Sequence, residues 1–533
     1  MAENEIRYRL AESACVEPLV AGWPAWPHTL APVAQSLHLL NYQLPVLRSY
    51  LSNPQLHENS CRNPRFLGGA FVDIPSSRVE EVRALHEATL KALNDNVQFA
   101  EALLAFYREL VAQAKGESLE RRYDSLPGPL RGCVELLYDY LNHPLLRCLE
   151  GRIYKSRYYK PQLQSLRLFD LRRDDDRPYF MSTPRLPSDD SVTWDIAFED
   201  ARLDELFRMD VEPRSLDEIR ELIGVAPRRS ALFERLFQAS SKRPEAKWRG
   251  DGVRIRYIGH ACALLETRDI AILIDALVAP KPHESTVDRF SYAELPEHID
   301  YALITHGHHD HFVIETLLRL RHRIGTLIVP NNANAFYADF SLRLLAERLG
   351  FKQVREVECF DEVPFEGGRI VAVPFLGEHN DLPSAKSAYL IQAGSKSVLF
   401  AADSNCLDEA VYEPLHELAG PVSILFAGME CVGAPLSWVY GPMLPIKPDH
   451  RHSQDRRSNG CNAEHALKLA TAVRCERAFV YAVGREPWIK HILALSPSEN
   501  DAYMKEINSF SESLKRDRGV EARLLFGKSE IFV

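Results

Sequence analysis

The stretch DYALITHGHHDHF, residues 300–312, decides the reading of this chain. An apolar run of strand length ends at Thr305, and a tight turn then presents His306, His308, Asp310 and His311 before the helical pattern FVIETLLRLRHRIG takes over. Side chains at the end of a buried strand are held by a rigid scaffold, which is what a metal site needs. His306 and His308 alternate and can meet one metal ion; Asp310 and His311, displaced beyond the turn, can serve a second one nearby. His309, between them, is expected to point away, to the surface or to a supporting position, and His322 reads as ordinary helix surface.

Outward from this motif the pattern continues in short β-branched runs, AILIDALV, YALITH, TLIVP, RIVAVPFL, SVLFAAD, VSILFAG and AFVYAV, alternating with amphipathic segments. Such strands need helices on their outer faces, so the class is α/β and layered. Further donors stand at strand ends. After RIVAVPFL comes GEHND, where either Glu378 or His379 can reach a metal. After SVLFAA comes Asp403, whose two oxygens can bridge two cations as a neutral imidazole cannot. Glu430 follows VSILFAGM and is read either as a ligand or as a supporting residue. His260, in RYIGHACALLE, is expected to support the site or fill the core rather than bind metal.

A chain of 533 residues with 46% hydrophobic content exceeds one ordinary core and implies two large domains. The polar segment QASSKRPEAKWRGDG, 238–252, marks the boundary, giving an N-terminal α+β domain, 1–240, and a catalytic domain, 251–533. In the first, Leu85, Leu90, Leu93, Phe99, Leu103, Phe106 and Leu110 recur at helical spacing between about Val79 and Lys115, as core or as a subunit interface. A second apolar periodic segment, LRGCVELLYDYLNHPLLRCLEG, precedes the alternating stretches RIYKSRYY and QSLRLFDLR, with no cofactor fingerprint.

The net charge of −10 and the absence of a basic, aromatic-interleaved strip argue against nucleic acid or an anionic membrane as partner. Ten cysteines without a close-spaced framework read as reduced thiols. With no apolar stretch of membrane-spanning length and no signal-peptide pattern at the N-terminus, the expected location is the cytoplasm. Between Arg228 and Arg249, seven basic residues (Arg228, Arg229, Arg235, Lys242, Arg243, Lys247, Arg249) face two acids (Glu234, Glu245). That run is a solvated linker or a dock for an acidic partner.

The motifs THGHHDH, GHACALLE, ILIDALV and FAAD resemble the metallo-β-lactamase superfamily, which implies an αββα sandwich from about Val253 onward. A fuller resemblance covers nearly the whole chain: AESACVEPLVAGWPAW, PFLGEHNDL, SVLFAADS, GMECVGAPLSWVYGP, DRRSNG and VYAVGREPW are similar to the diiron aminoacyl β-hydroxylases of chloramphenicol biosynthesis. This resemblance implies a non-haem diiron monooxygenase that uses O2 to hydroxylate the β-carbon of an amino acid tethered to a peptidyl carrier domain of a nonribosomal peptide synthetase. It further implies an electron donor, a homodimer, and a first domain that dimerises and restricts access to the metals. Carried over by position, His306, His308 and Glu378 bind one iron, Asp310 and His311 the other, and Asp403 bridges, with Glu430 a further ligand.

Hydrolytic members of the superfamily usually offer histidines where this chain has GEH and, at a late strand end, AFVYAVGREPW; His491 lies beyond that strand end and is a poor substitute. A donor set rich in carboxylates suits iron in its higher oxidation states, whereas zinc brings no redox chemistry. The alternative is a dinuclear zinc hydrolase acting on an ester, thioester, amide or phosphodiester. Trp438 and Tyr440 either line the substrate pocket or pack. Glu378 is the carboxylate assigned to open a coordination position, so Glu378→Ala should abolish hydroxylation while circular dichroism and the thermal midpoint stay unchanged.

Overall fold

The computed structural model describes residues 6–224, 230–240, 248–332, 336–377, 385–495, 498 and 501–533. Two seven-stranded sheets form the catalytic region. The first runs in the order Val354–Val357, Ile324–Pro330, Ile299–Leu303, Ala271–Ile274, Cys262–Glu266, Arg254–Gly259, Ser529–Phe532. The second runs Glu362–Phe365, Gly368–Val373, Ala388–Ala393, Lys396–Phe400, Ile424–Gly428, Ala478–Tyr481, Ala522–Leu524.

Period-two alternation assigns each side chain to a layer. Ile272 and Ile274 point between the sheets, where they share a core with Ile391, Phe400 and Phe426, while Ala271 and Leu273 point outward. On the second sheet Leu425 and Ala427 face a separate outer core with Leu469, Ile507 and Phe510 of helices Ala463–Ala472 and Ala502–Arg518. The centre of the inter-sheet layer is aromatic: Phe426 stacks on Phe400 at 4.6 Å and on Phe479 at 5.4 Å between ring centroids. The expected αββα sandwich is therefore present.

The N-terminal region is α+β. Its sheet runs Trp23–Pro24, Ala14–Val20, Gln164–Asp170, Ser191–Asp195, antiparallel throughout. The apolar stripe of 79–115 forms two helices, Val79–Ala92 and Asn94–Gln113, broken at Leu93, and Leu90 is exposed rather than core. The segment from Leu130 to Gly151 contains a hairpin, Val134–Tyr138 with Pro144–Cys148. Its turn is set by the Asp139 carboxylate, which accepts from the backbone N–H of Leu141 and His143 (both 2.8 Å), and by Asn142 at φ 60°. The stretch RIYKSRYY forms no strand; it begins with the short helix Glu150–Ile153 and continues through turns.

At the expected boundary, strand Phe237–Ala239 still belongs to the N-terminal region, pairing with Tyr8–Leu10. Arg228, Arg229, Lys242, Arg243 and Lys247 of the basic run lie outside the described residues. No disulfide forms among the ten cysteines, seven of which are buried. Among the described residues no helix is long and apolar enough to cross a membrane.

One continuous apolar core joins the N-terminal region to the outer face of the first sheet and to helices Ile314–Leu320 and Leu342–Arg348. Buried ion pairs cross the same joint. Asp174 receives both terminal nitrogens of Arg289 at 2.7 Å, Asp210 receives Arg319 at 2.9 and 3.0 Å, and Arg177 spans Glu17 (3.2 Å) and Glu315 (2.7 Å). Burial works to raise the Asp210 carboxyl, yet Arg319 and Arg323 hold it below the ordinary range. Removing one partner of such a pair strands the other charge in a medium that cannot solvate it. Asp210→Ala should therefore destabilise the protein by about 3–5 kcal/mol in urea denaturation.

Candidate metal centre

The strand Ile299–Leu303 hands the chain to a compact turn in which the His308 carbonyl accepts from the N–H of both His311 (3.2 Å) and Phe312 (2.8 Å). This folds Asp310 and His311 back beside His306, and all three are buried. Asp403 arrives from the neighbouring sheet just after Ala402, a left-handed residue (φ 48°) whose carbonyl accepts from Gly428 N–H at 2.9 Å. Gly428 must lack a side chain, since a Cβ there would meet Ala402 O at 2.2 Å.

Two groupings bring their ligand atoms within 4.8 Å of one another: His260, Asp310 and His311; and His306, His311 and Asp403. His311 Nε2 lies 3.0 Å from Asp403 Oδ2 and 3.6 Å from Asp310 Oδ2 but makes no well-formed hydrogen bond to either. His306 Nε2 stands 3.8 Å from Asp403 Oδ2. Imidazole nitrogens and carboxylate oxygens converging without hydrogen-bond geometry are the donor set of a cation site.

The hydrogen bonds behind these atoms fix which nitrogen is presented. Thr305 O–H donates to Asp275 Oδ2 (2.7 Å) and its N–H to Asp275 Oδ1 (2.8 Å). His311 Nδ1–H also donates to Asp275 Oδ2 (2.7 Å), leaving Nε2 for the centre. With its proton committed to Asp275, the Thr305 hydroxyl accepts from His306 Nδ1–H at 3.0 Å, which turns Nε2 toward Asp403. His308 uses Nε2 toward Tyr440 OH (2.7 Å), so Nδ1 is the nitrogen it could offer a cation. His260, left-handed at φ 52°, contacts Asp310 Oδ2 at 2.9 Å through Nε2.

The electrostatics are those of a centre short of positive charge. Burial would lower the His311 imidazole, yet Asp310, Asp403 and Asp275 drive it well above the ordinary range. Against the same burial, His311 and His260 hold Asp310 well below it. Burial and the Asp403 charge push Glu430 up to about 7. Cations would replace the protons this cluster otherwise recruits.

Of the expected ligands, His306, Asp310, His311 and Asp403 come together. His308 lies beside them, 4.6 Å from His306 between ring centroids, and Glu430 is half-buried on the lining of the adjoining cavity, outside both groupings. Glu378 and His379 lie outside the described residues. His309 is not at the surface: the N-terminal region covers it, and its ring packs against Trp26 (5.5 Å), Phe180 (4.9 Å) and Trp438 (5.8 Å), burial pushing it down to about 4. His322 is half-buried in the turn after helix Ile314–Leu320, where burial and Arg323 push it down to about 3. His491 is buried away from the groupings, its Nδ1 bonded to Trp488 O at 2.9 Å. Sequence reasoning missed Asp275, although it closes the quoted strand ILID, and the contact of Tyr440 with His308.

The centre opens into a cavity of about 760 Å³. Its floor includes His308, Asp310, Asp403 and Glu430; Trp438, Val439 and Leu493 form one wall, and residues 65–69 with Phe71, from the N-terminal region, form another.

Comparison with known proteins follows this geometry. Residues 9–241 match the family described as diiron non-heme beta-hydroxylase N-terminal domain, and residues 271–480 match the beta-lactamase superfamily domain. A curated relative from Streptomyces venezuelae, 4-amino-L-phenylalanyl-(CmlP-peptidyl-carrier-protein) 3-hydroxylase, is 33% identical over 526 residues, 97% of this chain and 98% of its own length. The chain belongs to the diiron β-hydroxylase family. The crystal structure of CmlA, a diiron β-hydroxylase from Streptomyces venezuelae, matches it with a TM-score of 0.92 at 31% identity, covering 99% of this chain and 100% of that one. As a diiron β-hydroxylase the protein is a monooxygenase, and the two irons that the family implies fit the buried, carboxylate-rich donor set. Asp275→Asn and Tyr440→Phe should each weaken iron binding about 10–100-fold in chelator competition, since each removes a bond that orients an imidazole.

Proposed function

We propose that this protein hydroxylates the β-carbon of an amino acid carried as a thioester on a peptidyl carrier domain of a nonribosomal peptide synthetase, using O2 and an external electron donor. The observation that carries this reading is the cavity, which connects the buried donor set to the surface and has an apolar wall broad enough for an aminoacyl group. The near full-length relative acts on an aminoacyl-carrier-protein substrate, as its name states.

In this reading His306, His308 and Glu378 would hold one iron and Asp310 and His311 the other, with Asp403 available to both and Glu430 a further ligand. When bound, the irons supply the activation of O2 that replacing a C–H bond by C–OH requires. The chain's own part is to fix ligand orientation through Asp275, Thr305 and Tyr440, and to steady Asp310 through His260. The N-terminal region limits the access of water by supplying residues 65–69 and Phe71 as one wall of the cavity. A homodimer formed through that region, and a cytoplasmic location, belong to the same proposal.

Mass spectrometry of carrier-bound amino acids after incubation with the iron-loaded, reduced enzyme and O2 should show a gain of one oxygen atom on one aminoacyl species. Purified protein that retains zinc alone and cleaves esters would overturn the assignment.

A further inference from the structure

The two limbs of one hairpin part company beside the metal centre. Strands Gly368–Val373 and Ala388–Ala393 pair antiparallel, and their ladder ends at the couple of Val373 with Ala388. Beyond it the outgoing limb turns toward the loop that carries Asp403: Asn405 N–H donates to Leu376 O at 2.8 Å, and Leu376 N–H to Ser404 Oγ at 3.2 Å. The returning limb crosses to the other sheet. Ser387 N–H donates to Thr305 O at 2.7 Å, Tyr389 O–H to Ile304 O at 2.8 Å, and Lys386 forms an antiparallel bridge with His306. Each limb is therefore fastened beside a different donor, past the point where the ladder held the two together.

Lys386 spans that divergence. Its ammonium donates to the carbonyl of Gly377 on the opposite limb, a charge-assisted bond, and lies 5.4 Å from the ring centroid of Phe375. The buried Phe375 ring in turn stands 5.5 Å from the His306 ring, edge to face. Gly377 adopts φ +110°, and a Cβ there would come within 3.1 Å of Asn405 Cβ, so its carbonyl is offered to Lys386 from a position tight against the Asp403 loop. A bonded path thus runs from His306 through Lys386, Gly377 and Leu376 to Ser404 and Asn405, the residues that follow Asp403.

We infer that Lys386 is a positioning residue of the metal centre, setting the separation of His306 and Asp403 by tying together the two limbs on which their segments rest. The inference rests on the ligand roles proposed above for these two residues and adds what holds them at one distance. They come from different sheets, yet His306 Nε2 and Asp403 Oδ2 stand 3.8 Å apart, and groups behind the ligands that fix such spacing govern how tightly a metal is held. A lysine suits the task, because its long apolar stem bridges the limbs while the head binds a carbonyl more strongly than a neutral donor would.

The test uses the full chain without substrate: chelator competition for iron affinity, and near-infrared magnetic circular dichroism of the reduced, iron-saturated protein. Lys386→Met keeps the length of the stem and removes the bond; it should weaken iron binding about tenfold and shift the ligand-field bands at saturating iron. Lys386→Arg restores a charged donor to a single acceptor and should recover most of both changes. A role in folding alone would lower the thermal midpoint of the metal-free protein and leave the spectrum of the iron-saturated protein unmoved. The inference is overturned if the iron-saturated spectrum of Lys386→Met matches that of the wild type, or if Lys386→Arg comes no closer to the wild type than Lys386→Met. Should Lys386→Met fail to fold, Lys386→Gln is read by the same criteria. These measurements involve no hydroxylation, so failure of the wild-type enzyme to hydroxylate a carrier-bound amino acid would overturn the proposed function separately.

Discussion

Several carboxylates and imidazoles brought out of water to one point cannot coexist without cations among them, and this constraint organises the catalytic region. Asp275, Asp310 and Asp403 are buried around His260, His306 and His311, and Glu430 faces the same space. Desolvation alone would protonate the acids and discharge the imidazoles; the cluster instead drives His311 up and Asp310 down, each ionised by the other. Cations of higher charge are the more effective solution. The strained details nearby serve the same end: left-handed His260, Asp275 and Ala402 all stand just past strand ends, where they turn the chain so that donors from different strands meet.

The sandwich was legible because its strands are short β-branched apolar runs spaced by amphipathic segments and its signature motif is confined to a few neighbouring positions. His306, Asp310 and His311 lie within a single turn, and Asp403 declares itself as a charged residue closing an apolar strand. The supporting bonds were harder to read because they join distant segments: Asp275 meets His311 across 36 positions and Tyr440 meets His308 across 132. Of the two readings of His309, the surface one fails for a related reason. Its neighbours in sequence say only that it points away from its companions; whether that direction leads to water depends on Trp26 and Phe180, which come from the other end of the chain.

The N-terminal region carries no catalytic motif of its own, and its pattern alone showed only an α+β unit. Folded, it shapes the site from two sides, burying the back of the ligand turn under aromatic rings and supplying one wall of the cavity. A bare αββα sandwich would leave the donors open to solvent. The added region sets the donor cluster at the bottom of a deep cavity, where chemistry on an unactivated carbon is better protected from side reactions.

The ion pairs that cross between the two regions bear on how such enzymes diversify. Asp174, Asp210 and Glu17 each present a buried charge to an arginine or to a shared network, and several of those contacts reach residues of the opposite half. A recombination event that exchanged one half for that of a distant homologue would strand arginines such as Arg289 and Arg319 inside the joint. The two halves are therefore expected to be inherited together, and new substrate preferences to arise by substitution along the cavity rather than by reassortment of modules.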